Sequence, residues 1–302
     1  MTNRSTTSSQ TSFLGDKPVH RVGFGAMQLA GPGVLGPPAD PDGARAVLRR
    51  AIELGVDHID TAQFYGPDVV NDLIREALHP YPESLRLVTK VGAVRDEQGA
   101  WLPAGSPAEL KAQVEQNLRA LGVERMDLVN LRRFERDHPD AQEPALDDQL
   151  GALAELRDEG KIDLIGVSSV TAETVRRAHE LVGIGEVQNA FSILDRSDAP
   201  VLDICREHGI FYVPYFPLGS AFNGGPAALA ADEHVSAVAA KHGVTASQVA
   251  LAWLLAQYDR VLLIPGTKSV AHLEENMTVL DIVLDEDDLT RLDKVEPKPV
   301  GH

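Results

Sequence analysis

The chain has 302 residues, 43% hydrophobic and 24% charged, a profile that fits an ordinary globular protein with room for one large α/β barrel or two modest domains. Its 28 basic and 45 acidic residues give a formal net charge of −17. That balance excludes nucleic acid and an anionic membrane surface as partners, because a field of this sign repels phosphate.

Residues Met1 to Ser12 are rich in Ser and Thr and lack the apolar core of a signal peptide. They read as a disordered or extended leader, with the division falling between residues 1–15 and a barrel over 16–302. From there, short apolar runs alternate with helix-period segments. Val22–Met27 opens the series of strands, followed by Val56–Asp60 and Arg86–Lys90. A long connection, Gly92–Gly105, precedes a helix whose start is written in Ser106-Pro-Ala-Glu109: an N-cap Ser, a Pro at the first turn and a Glu three residues on. Leu110, Val114, Leu118 and Leu121 then form one apolar stripe, and Gly122 sits where a left-handed C-cap belongs. The strand Met126–Leu131 and the helix Ala145–Glu159, ended by Gly160, lead to strands at Lys161–Val167, Gly185–Gln188 and Ile210–Pro214. Cys205 lies in the helical pattern before the last of these. As the only cysteine it excludes an intrachain disulfide and a thiolate zinc site, and its expected role is packing. A second long connection, Phe216–Ala231, follows. Thr245-Ala-Ser-Gln248 is another capping box, ahead of an apolar helix carrying Trp253. The strand Arg260–Ile264 comes next, then a helix capped by Ser269 and running to Leu280, and a last helix capped by Asp285 with Leu289 and Leu292 inward.

Eight strands, each followed by a helical segment, predict a single-domain (β/α)8 TIM barrel. Near-continuous apolar runs such as Val261 to Ile264 suit strands buried on both faces. A doubly wound sheet is disfavoured, since Gly23-Phe-Gly25-Ala-Met-Gln28 lacks the third glycine of the dinucleotide fingerprint and leads into no helix. The longest apolar run, Val249–Ala256, is too short to span a bilayer, and the expected setting is the reducing cytoplasm.

Barrels place their chemistry at strand C-termini. Asp60, Lys90 and Arg132 end the second, third and fourth strands and can converge at one rim, and Tyr65 follows Asp60 on a turn with Gly66-Pro67. Each has a structural reading taken alone: a helix cap, an ion pair, a surface turn, a solvated edge. Together they make a general acid. A buried Lys beside a phenol lowers its pKa from about 10, and a carboxylate keeps that Lys charged and oriented. The phenol can then protonate a developing alkoxide. The matching hydride comes from no side chain, so a cofactor is implied.

At this point the sequence resembles the aldo-keto reductases, from about Val22 to Leu292. The motifs are Gly23-Phe-Gly25-Ala-Met27, Asp57-His-Ile-Asp60-Thr-Ala-Gln-Phe-Tyr65-Gly66, Val88-Thr-Lys90-Val-Gly92, Gly166-Val-Ser168-Ser169, Val187-Gln188-Asn189, Tyr215-Phe-Pro-Leu218-Gly219 and the run from Ile264 to Asn276. The run Gly25 to Pro38 is similar to a bacterial subgroup that includes pyridoxal reductases. The resemblance implies an NADP-dependent carbonyl reductase acting on a small-molecule aldehyde or ketone, with Asp60, Tyr65 and Lys90 catalytic and Tyr65 as proton donor. It implies that Ser168, Ser169 and Gln188 hold the nicotinamide carboxamide and that Tyr215 stacks on its ring. Ala26, Met27, Pro217, Leu218, Gly219 and Ser220 are further expected cofactor contacts, the last three at the pyrophosphate. Gly266, Thr267, Lys268, Ser269 and His272 fall at the 2′-phosphate, and Glu275 and Asn276 at adenine. The loop before Ser269 also suits an anion on physical grounds, because a helix N-terminus offers free N–H groups and Lys268 adds charge.

Three positions depart from the family pattern: Ser169 stands where Asn is usual, a mild change, and two others weigh more. Arg132 stands where His is usual; a guanidinium is a fixed cation with five donors, which favours a substrate with an anionic group, such as a pyridoxal phenolate or an α-keto acid. His272 stands where NADP-preferring members often have Arg, yet Lys268 and the helix end keep NADPH ahead of NADH. Trp101 is a candidate to close the pocket over a ring-shaped substrate, or else to staple its own loop; Phe64, Phe134 and Phe222 are further pocket candidates. No metal is expected, and the assembly is expected to be a monomer or weak homo-oligomer. Two other functions fit parts of the pattern: a nicotinamide-binding regulatory protein with weak catalysis, and a Schiff-base lyase using Lys90. Lys90, Arg132, Arg133, Lys268 and His272 would form a small cationic site inside an acidic surface, the two coexisting because salt screens surface charge over about 8 Å.

Overall fold

The computed structural model describes residues 11–15, 17–136, 142–220 and 224–298. Seven parallel strands form one curled sheet: β3 (Phe24–Gly25), β4 (His58–Asp60), β5 (Arg86–Val91), β8 (Met126–Arg132), β9 (Ile162–Ser168), β10 (Glu186–Ala190) and β11 (Phe211–Tyr215), neighbours in that order. The Arg260–Ile264 run forms no full ladder, yet it closes the cylinder. On one side Tyr212 N donates to Arg260 O at 3.0 Å and Leu262 N to Tyr212 O at 3.1 Å. On the other, Leu263 N donates to Arg21 O and Gly23 N to Leu263 O, both at 2.8 Å. The result is the expected (β/α)8 barrel. The first strand is shorter than its apolar run, because the chain turns into a 3₁₀ helix at Ala26–Leu29. There the mouth is tight: a side chain at Gly25 would meet Ile264 O at 2.4 Å, and one at Gly266 would meet Gly25 O at 2.5 Å.

The helix signals act as written. In α3 (Pro107–Leu121), Ser106 N donates to Glu109 Oε2 at 2.9 Å and Glu109 N to Ser106 Oγ at 3.4 Å, and Gly122 closes the helix at φ 70°. Thr245 and Gln248 exchange the same pair of bonds ahead of α9 (Ala246–Gln257), which is buried from Val249 to Leu255, Trp253 included. The Ser269-capped helix is α10 (Val270–Met277), continued by a 3₁₀ turn to Asp281, and Asp285 caps α11 (Glu286–Leu292). Both long connections carry structure of their own. Gly92–Gly105 folds as an antiparallel hairpin of β6 (Ala93–Arg95) and β7 (Trp101–Pro103), and Phe216–Ala231 includes the short helix α7 (Gly225–Ala231). Cys205 is fully buried in α6 (Ala199–His208), where burial pushes its thiol well up.

The leader boundary differs from the expectation. Thr11–Leu14 (β1) pairs antiparallel with Lys17–His20 (β2), so Thr11 and Ser12 belong to a hairpin. Residues 1–10 lie outside the described residues. The hairpin plugs the floor of the barrel: Leu14 and Val19 pack on Val88, Leu128, Phe211, Val213 and Leu262, the inward side chains of the strands. Lys17 Nζ fastens it to Asp127 at 2.9 Å and Asp163 at 3.0 Å. The sequence signal was weak, since only two apolar side chains in this stretch face the core. Leu14→Ala is expected to cost about 2–5 kcal/mol, read by chemical denaturation; a loss under about 1 kcal/mol would deny the plug a part in stability.

Candidate active site

The strand ends converge on a cleft of about 760 Å³ at the barrel mouth. Asp60, Lys90, Arg132, Ser168, Gln188 and Tyr215 reach it from six different strands, and Tyr65 reaches it from the turn after β4. Asp60, Tyr65 and Lys90 are 3%, 5% and 5% exposed. Lys90 Nζ lies 2.5 Å from Asp60 Oδ1 and 3.3 Å from Thr61 O, while Gln188 Nε2 donates to Asp60 Oδ2 at 3.0 Å. Both carboxylate oxygens of Asp60 are therefore held, and the ammonium sits 5.1 Å from the Tyr65 ring centre. Burial works to lower the Lys90 pKa, but Asp60 and the Tyr65 phenol outweigh it and hold the group above its ordinary value.

Tyr65 corrects the sequence reading in sign. Burial pushes its phenol above the ordinary value, and the nearby charges of Lys90 and Arg132 recover only part of that shift, with Asp60 opposing them. The phenol thus keeps its proton, which is the form a proton donor requires.

Arg132 lies on the wall, its Nη1 bonded to the Ser169 hydroxyl and its guanidinium 4.9 Å from the Phe134 ring centre. Ser169 is fully buried at φ 59°, and its hydroxyl also meets the Tyr215 hydroxyl at 3.0 Å. It therefore bridges Arg132 to Tyr215 rather than standing on the cleft wall with Ser168. Arg133 corrects a second expectation: it turns away from the mouth to Glu135, Glu143 and Gln149.

Met27, Pro217, Leu218, Gly219, Ser220, Gly266 and Asn276, each expected as a cofactor contact, also line the cleft. Ala26 is fully buried and is not part of that lining. Thr267, Lys268, Ser269 and His272 gather around the N-terminus of α10, next to Gly266, and Glu275 lies in its second turn; all five are outside the cleft lining. Ser269 N donates to Thr267 Oγ1 at 3.0 Å, His272 N donates to Ser269 Oγ at 3.4 Å, and Lys268 and His272 are exposed.

One observation tests whether the residues present fit a nicotinamide. Gln188 lines the cleft, and its Oε1 is buried with no hydrogen-bond partner among the described residues. A buried acceptor without a donor is costly and suits an amide N–H from a ligand.

Phe64, Trp101 and Phe134 line the same cleft. Phe64 meets Tyr65 and Trp101 edge-on, with ring centres 5.3 and 5.4 Å away. Arg95 covers Trp101 at 4.1 Å and donates to Val34 O and Gly33 O at 2.8 Å each. Trp101 thus both walls the pocket and staples its hairpin. Phe222 lies outside the described residues. Phe216, the first residue of the long connection after β11 that the sequence offers as a pocket wall, lines the cleft. The sequence reading missed Val34, Phe191 and Asp195 on the wall. The last two follow a strand C-terminus, which was the available signal; nothing local marks Val34.

Among the described residues no group of His, Cys, Asp and Glu is placed to hold a metal ion, and no helix is long and apolar enough to cross a membrane. Comparison with known proteins agrees with the geometry. Pyridoxine 4-dehydrogenase of Escherichia coli K12 is 49% identical over 288 residues, covering 95% of this chain and 99% of that protein. An uncharacterized oxidoreductase of Schizosaccharomyces pombe is 37% identical over 284 residues, with 94% and 89% covered. Among solved structures, an aldo/keto reductase from Klebsiella pneumoniae in complex with NADP and acetate superposes with a TM-score of 0.79 at 25% identity over 96% of both chains. The holo form of an aldo-keto reductase from Bacillus halodurans gives 0.77 at 25% identity, again over 96% of both. Residues 21–297 match the model of the Aldo/keto reductase family, and the chain belongs to that family.

Proposed function

We propose that this aldo-keto reductase reduces pyridoxal, or a related aldehyde carrying an anionic group, with NADPH as the reductant. The observation that carries the reading is the buried Tyr65 phenol beside the Lys90–Asp60 pair, in the same cleft as the unpartnered Gln188 acceptor. The E. coli relative named for pyridoxine supports the substrate. Bound NADPH supplies the hydride. Tyr65 gives its proton to the carbonyl oxygen, and Lys90 stabilises the phenolate that remains. Gln188 and Ser168 would hold and orient the carboxamide, Tyr215 would back the ring, and Lys268 with the α10 N-terminus would take the 2′-phosphate. Arg132, held in place by Ser169, polarises the carbonyl and pairs with the substrate anion. Trp101 and Phe64 exclude water from their part of the cleft. The lone buried Cys205 suits a cytoplasmic enzyme, acting as a monomer or weak homo-oligomer.

A Schiff-base lyase would need a neutral Lys90, whereas Asp60 holds it charged, and this disfavours that alternative. The test is NADPH oxidation followed across a carbonyl panel, repeated with NADH and with Arg132→His. Pyridoxal and α-keto acids are expected to exceed neutral aldehydes in kcat/KM, and Arg132→His to reduce that preference by about 10–100-fold. Equal turnover of neutral and anionic aldehydes, unchanged in the variant, would refute the assignment of Arg132. Binding of NADPH without turnover of any carbonyl would favour the regulatory alternative.

A further inference from the structure

A second carboxyl lies in the barrel wall below the mouth, in the row that carries Lys90. By strand register Lys90 stands beside Asn130, Asn130 beside Gly166, and Gly166 beside Glu186, on β5, β8, β9 and β10 in turn. Glu186 is 2% exposed and Asn130 fully buried. Asn130 Nδ2 donates to Glu186 Oε1 at 2.7 Å, reaching across the strand between them. Gly166 leaves that path open: a side chain there would meet Asn130 Oδ1 at 2.1 Å. Two residues along β10, on the same face of the strand, Gln188 Nε2 donates to Asp60 Oδ2 at 3.0 Å. Glu186 thus lies in the row that carries Lys90, two residues along its strand from the Gln188 that holds Asp60, and outside the cleft lining.

We propose that Glu186 is a positioning residue for the proton donor, a buried carboxyl whose protonation state sets how firmly Tyr65 holds its proton. This rests on the reductase reading above. The charged groups facing it are Asp60 from β4 and Lys90 from β5; β8 offers Asn130, β9 Gly166 and β11 Phe211. His58, also on β4, is the other buried titratable group of that strand, its Nδ1 3.6 Å from Asp57. Burial pushes the Glu186 carboxyl up from 4.5 to about 7, with Asp60 adding to the shift and Asn130 and Lys90 opposing it. Near neutrality the residue therefore changes charge. When it ionises, the layer around Lys90 gains a negative charge, and loss of the Tyr65 proton becomes harder.

The test is the pH profile of kcat/KM for carbonyl reduction in wild type, Glu186→Gln and Asn130→Ser, with thermal unfolding of each over the same range. Wild type is expected to slow as pH rises through about 7. The ratio of Glu186→Gln to wild type is expected to climb about 3–10-fold between about pH 5.5 and pH 8.5. Asn130→Ser removes a donor from the carboxylate, so its inflection is expected to move to higher pH. Because the folded state keeps a proton that the unfolded chain releases above 4.5, wild type also loses melting temperature as pH rises from 4.5 to about 7 and levels off above that, and Glu186→Gln loses less. A ratio constant with pH, or parallel melting curves, would overturn the proposal and leave Glu186 a packing residue. Wild type without NADPH-dependent turnover of any carbonyl would instead refute the reductase reading, while the melting curves would still decide whether Glu186 titrates.

Discussion

Tyr65→Phe is expected to lower kcat for carbonyl reduction by about 10²–10⁴-fold while NADPH still binds. Only the hydroxyl is removed. The ring keeps its edge-on contact with Phe64 and its place near Lys90, so the packing around it is untouched. Burial has already placed the phenol in its protonated form, and Lys90 and Arg132 are the cations that stabilise it once the proton has gone. Without the hydroxyl, the carbonyl oxygen must take its proton from water in a cleft walled by aromatic rings. Steady-state kinetics and a cofactor titration, run together, check this. Activity within a few-fold of wild type would remove Tyr65 from the chemistry and require another acid.

Lys90→Met carries the second large effect, on stability as well as rate. It leaves the Asp60 carboxylate in the barrel wall with the Gln188 amide as its remaining bond to a side chain. Breaking a buried pair from one side costs about 3–5 kcal/mol, because the surviving charge is no longer compensated. The double variant Asp60→Asn with Lys90→Met is expected to recover most of that stability, since neither member of the pair then carries a charge. It is not expected to recover activity: the phenolate loses its cation, and the rate falls at least about 10²-fold in both variants. Denaturant unfolding of the two single variants and the double variant measures the coupling. A double variant as unstable as Lys90→Met would show that Lys90 acts by packing rather than by charge.

Much of the site was legible because barrels put chemistry at strand ends, and Asp60, Lys90, Arg132 and Gln188 each sit near the end of an apolar run. What local sequence does not carry is the direction of a side chain that has several partners in reach. Arg132 and Arg133 are adjacent, and both were expected at the mouth. Arg133 instead turns to Glu143 and Gln149, which come from the chain after β8, while Arg132 stays on the wall because Ser169 and Phe134 receive it. Ser169 follows the same logic, engaged by Arg132 and Tyr215 from two other strands.

By itself the sequence determined the alternation of strands and helices, the capping boxes at Ser106 and Thr245, and the candidate acid of Asp60, Tyr65 and Lys90. These depend on spacing and on backbone groups within a few residues, so they are local properties. Only the tertiary structure decided the hairpin that plugs the floor, the sign of the Tyr65 shift and the contact of Glu186 with Asn130 across Gly166. The reason is common to all three. Burial of an ionisable group, and the pairing of residues between strands, are set by register and by side chains far away in the chain, and electrostatics follows whichever walls the fold brings around a charge.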